Sequence, residues 1–338
     1  MPIDRSWLDQ VHEDALEPEL PIVDPHHHLW DTPRDRYMLD ELLSDLESGH
    51  NIVATVYVEA SSMYRAEGPK HLAPVGETEF VNGIAAQSAS GQYGDLRACK
   101  GIVSYADLML AEAVDEVLEA HLAAAPARLR GIRHSVAWDK DEKIIGYKNS
   151  PRGLMADPAF RRGFARLEAY GLTFDAWLYH PQIAELADLA RAFPGVTIVF
   201  DHFGGPLGIG SYAGRRAEVF ETWKRDVAEL ASCPNVVAKI GGLWMALNGF
   251  GWQDRPRPPS SEELAAASRD WFLHAIDVFG PARCMFESNF PVDKVSCSYG
   301  IMWNAFKRMV SDFAAEDKRA LFHDTAARVY RLDGLASA

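Results

Sequence analysis

The 338-residue chain is poor in cysteine and has no long apolar run. Its four cysteines, Cys99, Cys233, Cys284 and Cys297, form no Cys-x-x-Cys pair, and each lies in or near an apolar segment. This pattern is typical of buried free thiols, so we expect a reducing, cytoplasmic location. No segment reaches membrane-spanning length, and residues 1–19 are polar and acidic rather than charged and then apolar, so we expect no membrane partner.

The chain also has fewer basic than acidic residues. Lys and Arg total 34 against 48 Asp and Glu, which gives a formal net charge of −14. An acidic surface repels phosphate backbones, so we expect no nucleic-acid partner. Hydrophobic residues make up 48% of the chain, enough for a large globular core, and the composition leaves a homo-oligomer open.

Strand-like and helix-like segments alternate from end to end. Eight short apolar segments rich in Val and Ile have the pattern of parallel strands covered by helices: 20–26, 52–59, 97–105, 130–136, 172–180, 196–202, 236–241 and 283–289. Helical patterns separate or follow them: 36–46, 77–90, 110–123, 158–169, 182–192, 217–231, 261–279, 302–313 and 315–329.

Eight such units predict an α/β protein with a (β/α)8 TIM barrel. Residues 1–19 would form an N-terminal extension and residues 20–338 a single domain. A doubly wound open sheet is the alternative, but no Gly-rich phosphate-binding turn follows the first predicted strand.

Three long connections follow predicted strands, at residues 61–75, 137–151 and 243–259. In a TIM barrel these loops emerge beside the active site, at the carboxyl ends of the strands. We expect them to wall a pocket as a lid. For residues 243–259, which mix aromatics with Gly and Pro, a rigid aromatic plug is the alternative.

The most informative motif is DPHHHLW, residues 24–30, at the end of the first predicted strand. Side chains alternate along a strand, so Asp24, His26 and His28 would share one face. Two imidazoles on one face can bind one divalent ion, with further ligands from elsewhere in the chain. An accidental histidine run in a loop is the alternative.

Polar residues also end other predicted strands. Histidines at the ends of the first, fifth and sixth strands would meet at one rim of a barrel, and this coincidence predicts the active site there. The strand-end residues after the first strand are Glu59, Arg133, Tyr179, His180, Asp201, His202, Glu287 and Asn289.

Four motifs, DPHHHLW at 24–30, GIR at 131–133, FDHFGGP at 200–206 and MFESNFP at 285–291, run in order through nearly the whole chain. Together they resemble the amidohydrolase superfamily and, within it, the "amidohydrolase 2" group of TIM-barrel lactonases, which is similar to 2-pyrone-4,6-dicarboxylate lactonase and L-fuconolactonase. The resemblance implies that His26 and His28 bind a divalent metal, with zinc the expected ion. It implies that His180 is a further ligand or polarises the scissile carbonyl, and that His202 is the catalytic histidine of the sixth strand.

The resemblance also assigns a substrate site. Arg133 would grip a substrate carboxylate or a lactone oxygen, because a guanidinium suits planar anions. A structural ion pair is the alternative for this residue. We place Glu59, Trp138 and Tyr179 beside it as further substrate-binding candidates.

The eighth predicted strand departs from the group. Asn289 stands where the group has an Asp that binds metal and takes a proton from water, and a neutral amide cannot act as a general base. Glu287, on the same face one layer deeper, or Glu59 would then supply the missing negative charge. The alternative for Glu287 is a buried structural ion pair, and a metal-independent route gains weight.

The sequence therefore predicts a small-molecule hydrolase, a lactonase. It would open a carboxylated or hydroxylated lactone by water attack on a carbonyl polarised by the histidine cluster or by a metal. A metal-dependent nonoxidative decarboxylase of the same superfamily is the first alternative. A non-catalytic ligand-binding relative, which has lost the strand-eight Asp, is the second.

Overall fold

The computed structural model describes residues 4–33, 35–144 and 150–335. Eight parallel strands form one sheet in chain order: β1 Pro21–His27, β4 Asn51–Val58, β5 Arg97–Ser104, β6 Leu129–Ile132, β7 Thr173–Ala176, β8 Ile198–Phe200, β9 Val236–Ile240 and β10 Cys284–Phe286. A short antiparallel hairpin, β2 Trp30–Thr32 and β3 Asp35–Tyr37, follows β1.

The sheet closes on itself between β1 and the segment after β10. His27 and Phe290 form a parallel bridge, and the His28 amide donates to the Phe290 carbonyl over 2.8 Å. The Asn289 amide donates to the His26 carbonyl over 2.9 Å. These contacts make a closed (β/α)8 barrel, which confirms the predicted fold.

A buried carboxylate fixes this seam. Asp24 Oδ1 accepts from the Ser288 amide over 3.0 Å, and its Oδ2 accepts from the Ser288 hydroxyl over 2.6 Å and the Tyr299 hydroxyl over 2.9 Å. Asp24, the acid of the DPHHHLW motif, therefore joins the first and last barrel strands.

Helices cover the outside of the barrel: α1 Arg5–Leu8, α2 Leu39–Leu46, α3 Val75–Ala89, α4 Val114–Ala124, α5 Pro158–Ala169, α6 Ile183–Ala192, α7 Arg216–Ala231, α8 Ser261–Phe279, α9 Tyr299–Met309, α10 Ala315–Arg319 and α11 Thr325–Val329. Their apolar stripes pack on outward-facing strand residues, as Phe272 of α8 does on Phe286 of β10. A separate cluster that includes Val23, Val199 and Met285 also lies buried among the strands. The polar site residues come after these apolar strand segments.

The strands β6, β7, β8 and β10 end earlier than the sequence predicts. As a result Arg133, His180, His202 and Asn289 lie in the loops directly after them. His202 and Asn289 have left-handed backbone conformations, with φ of 55° and 54°, so the chain has left the strand geometry at both positions. The predicted start of helix 36–46 is also wrong, because residues 36 and 37 belong to β3, and the predicted helix 315–329 is interrupted by a π-helical turn, Ala320–Asp324.

The predicted N-terminal extension packs on the outer helices. The Trp7 indole donates to the Arg255 carbonyl over 2.9 Å, and the Leu16 amide donates to Asn304 of α9 over 2.8 Å. The division at residue 19 stays a prediction, and residues 1–3 and 336–338 lie outside the described part of the chain.

All four cysteines are buried free thiols, as predicted. None of the described helices combines the length and the apolarity needed to cross a membrane.

Candidate active site

A cavity of about 850 Å³ opens at the carboxyl ends of the barrel strands. Four polar residues directly after strands line it, and we term them the polar floor: His28, Arg133, His202 and Asn289. Residues of the hairpin and the long loops supply the other lining side chains: Trp30, Thr32, Ala60, Trp177, Ile209, Met245, Ala246, Leu247, Gln253, Val292 and Val295.

The predicted lid loops contribute to this lining unequally. Residues 243–259 supply four of the lining side chains and so form part of the cavity wall. In the loop 137–151, Ala137 and Ile144 pack in an apolar cluster with Trp177 and Met245. Residues 145–149 of that loop lie outside the described residues.

Glu287 bridges two histidines beneath the floor. Its Oε1 lies at hydrogen-bond distance, 2.6 Å, from His202 Nδ1, and its Oε2 lies 3.0 Å from His26 Nδ1. All three side chains are buried, and their ligand atoms lie within 4.8 Å of one another. Two imidazole nitrogens and a carboxylate oxygen are a donor set that zinc and similar divalent ions accept.

Buried carboxylate oxygens around this group lack hydrogen bonds. Among the described residues, no hydrogen bond reaches Glu287 Oε2 or either oxygen of Asp201, although all three atoms are buried. Lys239 Nζ lies 3.3 Å from Asp201 Oδ1 and compensates its charge, so Glu287 Oε2 is the atom that indicates room for a cation or for a shared proton. The group His26, His202 and Glu287 therefore fits a divalent ion.

Burial disfavours the charged forms of the side chains in this group. It raises the pKa of Glu287 to about 8 and lowers the pKa of His202 to about 3. In the ionised form of Glu287, Oε1 holds the proton on His202 Nδ1, so the other ring nitrogen, Nε2, carries a free lone pair. Because His202 lines the cavity, this lone pair can act as a base toward a bound molecule.

Lys239 supplies positive charge from β9. Its Nζ donates to Asp175 Oδ2 over 2.7 Å and lies 3.3 Å from both Asp201 Oδ1 and His26 Nδ1. Burial opposes the charge, but Asp175 and Asp201 raise the pKa of Lys239 above its ordinary value. A buried ammonium therefore holds the carboxylates beneath the site.

Arg133 is the second buried cation of the site. Its Nε donates to Glu59 Oε1 over 2.9 Å, and a terminal nitrogen donates to the Glu59 carbonyl. Its other terminal nitrogen lies 3.3 Å from His26 Nε2 and 3.9 Å from Asp201 Oδ2. Glu59 is fully buried and lies behind the arginine, so it neutralises Arg133 rather than lining the cavity.

His28 and Asn289 present two acceptors to the cavity. His28 Nδ1 donates to the Val58 carbonyl over 2.8 Å, which leaves Nε2 unprotonated. Asn289 Oδ1 lies 3.3 Å from that Nε2, because the Asn289 amide nitrogen donates to Asp293 Oδ2 over 2.7 Å. A water placed here could donate to both acceptors, and a substrate hydroxyl to one of them.

A family model described as Amidohydrolase matches residues 23–332. The chain belongs to the amidohydrolase family. This confirms the resemblance that the four sequence motifs carry.

Curated relatives cover nearly the whole of this amidohydrolase. An uncharacterized protein, y4mH, from Sinorhizobium fredii is 33% identical over 93% of this chain and 99% of its own length. An L-fucono-1,5-lactonase from Burkholderia multivorans is 26% identical over 94% of this chain and 98% of its own length. A crystal structure of a Burkholderia multivorans amidohydrolase with bound Zn has a TM-score of 0.70 and 23% identity, covering 92% of this chain and 99% of its own, which shows the same fold.

Besides Glu59 and the buried pair His26 and Glu287, three more predicted site residues of this amidohydrolase do not line the cavity. His180 Nδ1 accepts from the Leu207 amide over 3.3 Å, and its ring packs on Tyr212, apart from the group formed by His26, His202 and Glu287. Trp138 donates its amide to a glutamine side chain, and Tyr179 is buried against Trp177. The roles assigned to these three residues stay predictions that their positions do not favour.

Two residues of the amidohydrolase site are absent from the sequence-predicted set. Trp30 ends the DPHHHLW motif and stacks on His28 with ring centroids 6.0 Å apart. Lys239 lies in the otherwise apolar strand VVAKI, and a lysine in such a strand is itself a signal, because a buried ammonium needs an acidic partner.

Proposed function

We propose that this amidohydrolase is a lactonase, which opens a small cyclic ester by adding water to its carbonyl. The observation that carries the proposal is the contact between Glu287 and His202 at the floor of the cavity. A carboxylate that holds one imidazole nitrogen leaves the other free to take a proton from water. The name of the L-fucono-1,5-lactonase relative supports ester hydrolysis over decarboxylation.

The proton path uses residues of the chain itself. His202 Nε2 removes a proton from water as the water oxygen attacks the lactone carbonyl carbon. Arg133 hydrogen-bonds the carbonyl oxygen as negative charge develops on it, and the second proton of the water is donated to His28 Nε2 or Asn289 Oδ1, which orients the water. The ring carbon–oxygen bond then breaks, and the protonated His202 returns the proton to the departing oxygen, which gives a hydroxy acid.

The same site would hold a divalent metal through His26, His202 and Glu287, with zinc the proposed ion. The buried Glu287 Oε2, which lacks a hydrogen bond, supports this fit. A bound ion would polarise the carbonyl and lower the pKa of water. A bound ion would replace the proton that Glu287 and His202 share. The metal content of the protein therefore distinguishes the metal-bound form from the metal-free form.

The test is a lactone panel scored by acid release, together with elemental analysis of the purified protein. Glu287→Gln should lower kcat by about 10²-fold or more, because general-base catalysis contributes about 10²–10⁴-fold. Glu218→Gln is the matched control, since Glu218 pairs with Arg215 on the surface.

Each alternative has its own result. Unchanged turnover and unchanged metal content in Glu287→Gln would remove Glu287 from the mechanism. Release of carbon dioxide without ring opening would indicate the decarboxylase alternative. Tight ligand binding without turnover under any metal would indicate the non-catalytic alternative. The predicted cytoplasmic location and the possibility of a homo-oligomer stay open to separate tests.

A further inference from the structure

We infer that the substrate is a neutral lactone with a bulky apolar arm, alkyl or aryl, whose ring lies on the polar floor while the arm lies against the loops. The inference rests on the proposed lactonase function and narrows its substrate class. It departs from the carboxylated or hydroxylated lactone that the sequence predicts.

The cavity is apolar above its floor. Nine of its fifteen lining residues are apolar. Outside the polar floor, the polar side chains that line the described cavity are Thr32 and Gln253. A hydroxyl buried without a hydrogen-bond partner is unfavourable, so a ring hydroxylated on every carbon would leave several hydroxyls unsatisfied against this wall.

The apolar wall is held in place by its own packing. Trp177 and Met245 belong to one buried cluster with Leu207, and Ile209 and Leu247 pack against it. Because these side chains are packed from behind, the wall is formed before a ligand arrives. It therefore presents a fixed apolar surface that an alkyl or aryl group can cover.

The floor offers little net positive charge to a substrate carboxylate. Arg133 is the cation among the described lining residues. Its Nε and one terminal nitrogen already donate hydrogen bonds to Glu59. Lys239 lies behind the floor and is engaged by Asp175 and Asp201. Because Glu59, Asp175 and Asp201 already compensate these two cations, a substrate carboxylate would find no uncompensated positive charge here, whereas a neutral carbonyl oxygen needs only hydrogen bonds.

The volume of the cavity also favours a lactone that carries an alkyl or aryl arm. A volume of about 850 Å³ lies toward the upper end of the range for sites that bury drug-sized ligands, about 300–1,000 Å³. A single five- or six-membered ring would fill only part of it. The unfilled part is the part lined by apolar loop residues.

The experiment compares four probes: δ-valerolactone, δ-decalactone, L-fucono-1,5-lactone and 2-pyrone-4,6-dicarboxylate. We expect kcat/KM for δ-decalactone to exceed each of the others by at least tenfold, mainly through KM, because its pentyl arm covers the apolar wall. Ring opening that is fastest with the fuconolactone or the dicarboxylate would overturn the inference while leaving the proposed lactonase intact.

Binding without turnover separates the two proposals. The lactam analogues of δ-valerolactone and δ-decalactone have the same shapes but resist opening. The pentyl lactam should bind at least tenfold more tightly than the unsubstituted one. If no lactone is opened but this difference holds, the lactonase function fails and the apolar subsite stands; equal affinities would refute the subsite.

Two variants test where the alkyl arm lies and how the charge of Arg133 is compensated. Leu247→Gln should reduce the preference for δ-decalactone over δ-valerolactone several-fold, whereas Leu122→Gln on α4, a half-buried leucine outside the cavity, should keep it. Glu59→Gln leaves Arg133 without its counter-charge, so turnover of the dicarboxylate relative to δ-decalactone should rise several-fold. An unchanged preference in both Leu247→Gln and Glu59→Gln would contradict the placement of the arm and of the charge.

Discussion

Lys239 is fully buried in β9, and its ammonium holds two carboxylates beneath the site. Replacing it with methionine keeps the apolar part of the side chain, one atom shorter, and removes the charge. The hydrogen bond of 2.7 Å to Asp175 and the contact of 3.3 Å with Asp201 are then lost together. Two buried carboxylates would remain without their cation, so we expect the variant to fold less stably.

The magnitude follows from this burial. Breaking a buried ion pair by removing one partner costs about 3–5 kcal/mol, because the remaining charge stays desolvated. Unfolding entropy is about 2.1 cal/mol/K per residue, so for this chain the loss corresponds to a fall in Tm of about 4–7 °C. Lys224→Met is the control: Lys224 is part-exposed, and its ion pair with Glu221 is worth under about 1 kcal/mol.

The assay is differential scanning calorimetry of wild type, Lys239→Met, Lys224→Met and the double variant Lys239→Met with Asp175→Asn. The double variant should recover part of the loss, because one of the two uncompensated carboxylates is then neutral. A fall in Tm below about 1 °C in Lys239→Met, or a double variant less stable than the single one, would refute the assignment of Lys239 as the buried counter-charge.

Three further predictions concern pH, the position of His202 and the core. Burial raises the pKa of Asp293 to about 8, so the native state holds a proton that the unfolded chain releases near pH 4, and stability falls as pH rises between these values. Relative to wild type, Asp293→Asn should therefore gain stability as the pH is raised from about 5 to 8, by up to about 1.4 kcal/mol for each pH unit. Urea unfolding at several pH values measures this, and parallel plots of unfolding free energy against pH for the two proteins would contradict it. Gly242 has φ +63°, and a Cβ there would lie 2.4 Å from His202 Nδ1. Gly242→Ala should therefore displace His202 and lower kcat at least tenfold. Gly153→Ala is the control, because Gly153 has φ +70° with open space around it, and it should keep kcat. Phe272→Ala should cost about 3–5 kcal/mol in urea unfolding, because its ring is fully buried among other aromatic rings, and a loss under about 1 kcal/mol would be inconsistent with that packing.

The sequence predicts the eight strands and the rim they share because buried parallel strands are nearly continuous apolar runs. That pattern is visible without any knowledge of neighbours, and it places six of the predicted residues together: His26, His28, Arg133, His202, Glu287 and Asn289 meet at or beneath one cavity. The short hairpin after β1 has no such apolar pattern, and the prediction misses it.

The geometry of the strand ends is what the sequence does not reveal. Alternation places Glu287 and Asn289 on one face, but β10 ends at Phe286 and Asn289 is left-handed, so the loop rather than the strand directs both side chains. The partners of Lys239 depend on which strands are neighbours and on how far each side chain reaches, which periodicity alone does not determine. Likewise, His180 is a histidine in the expected loop whose ring nitrogen is taken by the Leu207 amide, a contact that only the folded loop creates.

The junction held by Asp24 and Ser288 has a further consequence for how the protein becomes active. The two residues are 264 positions apart. His26, two positions after Asp24, and Glu287, next to Ser288, form the pair at the site. A growing polypeptide has neither the completed ring nor the completed pair until its last βα unit has been made. Completion of the barrel and of the proposed site therefore depends on the same last strand, so we expect a protein without the segment from β10 onward to be inactive even where the rest folds.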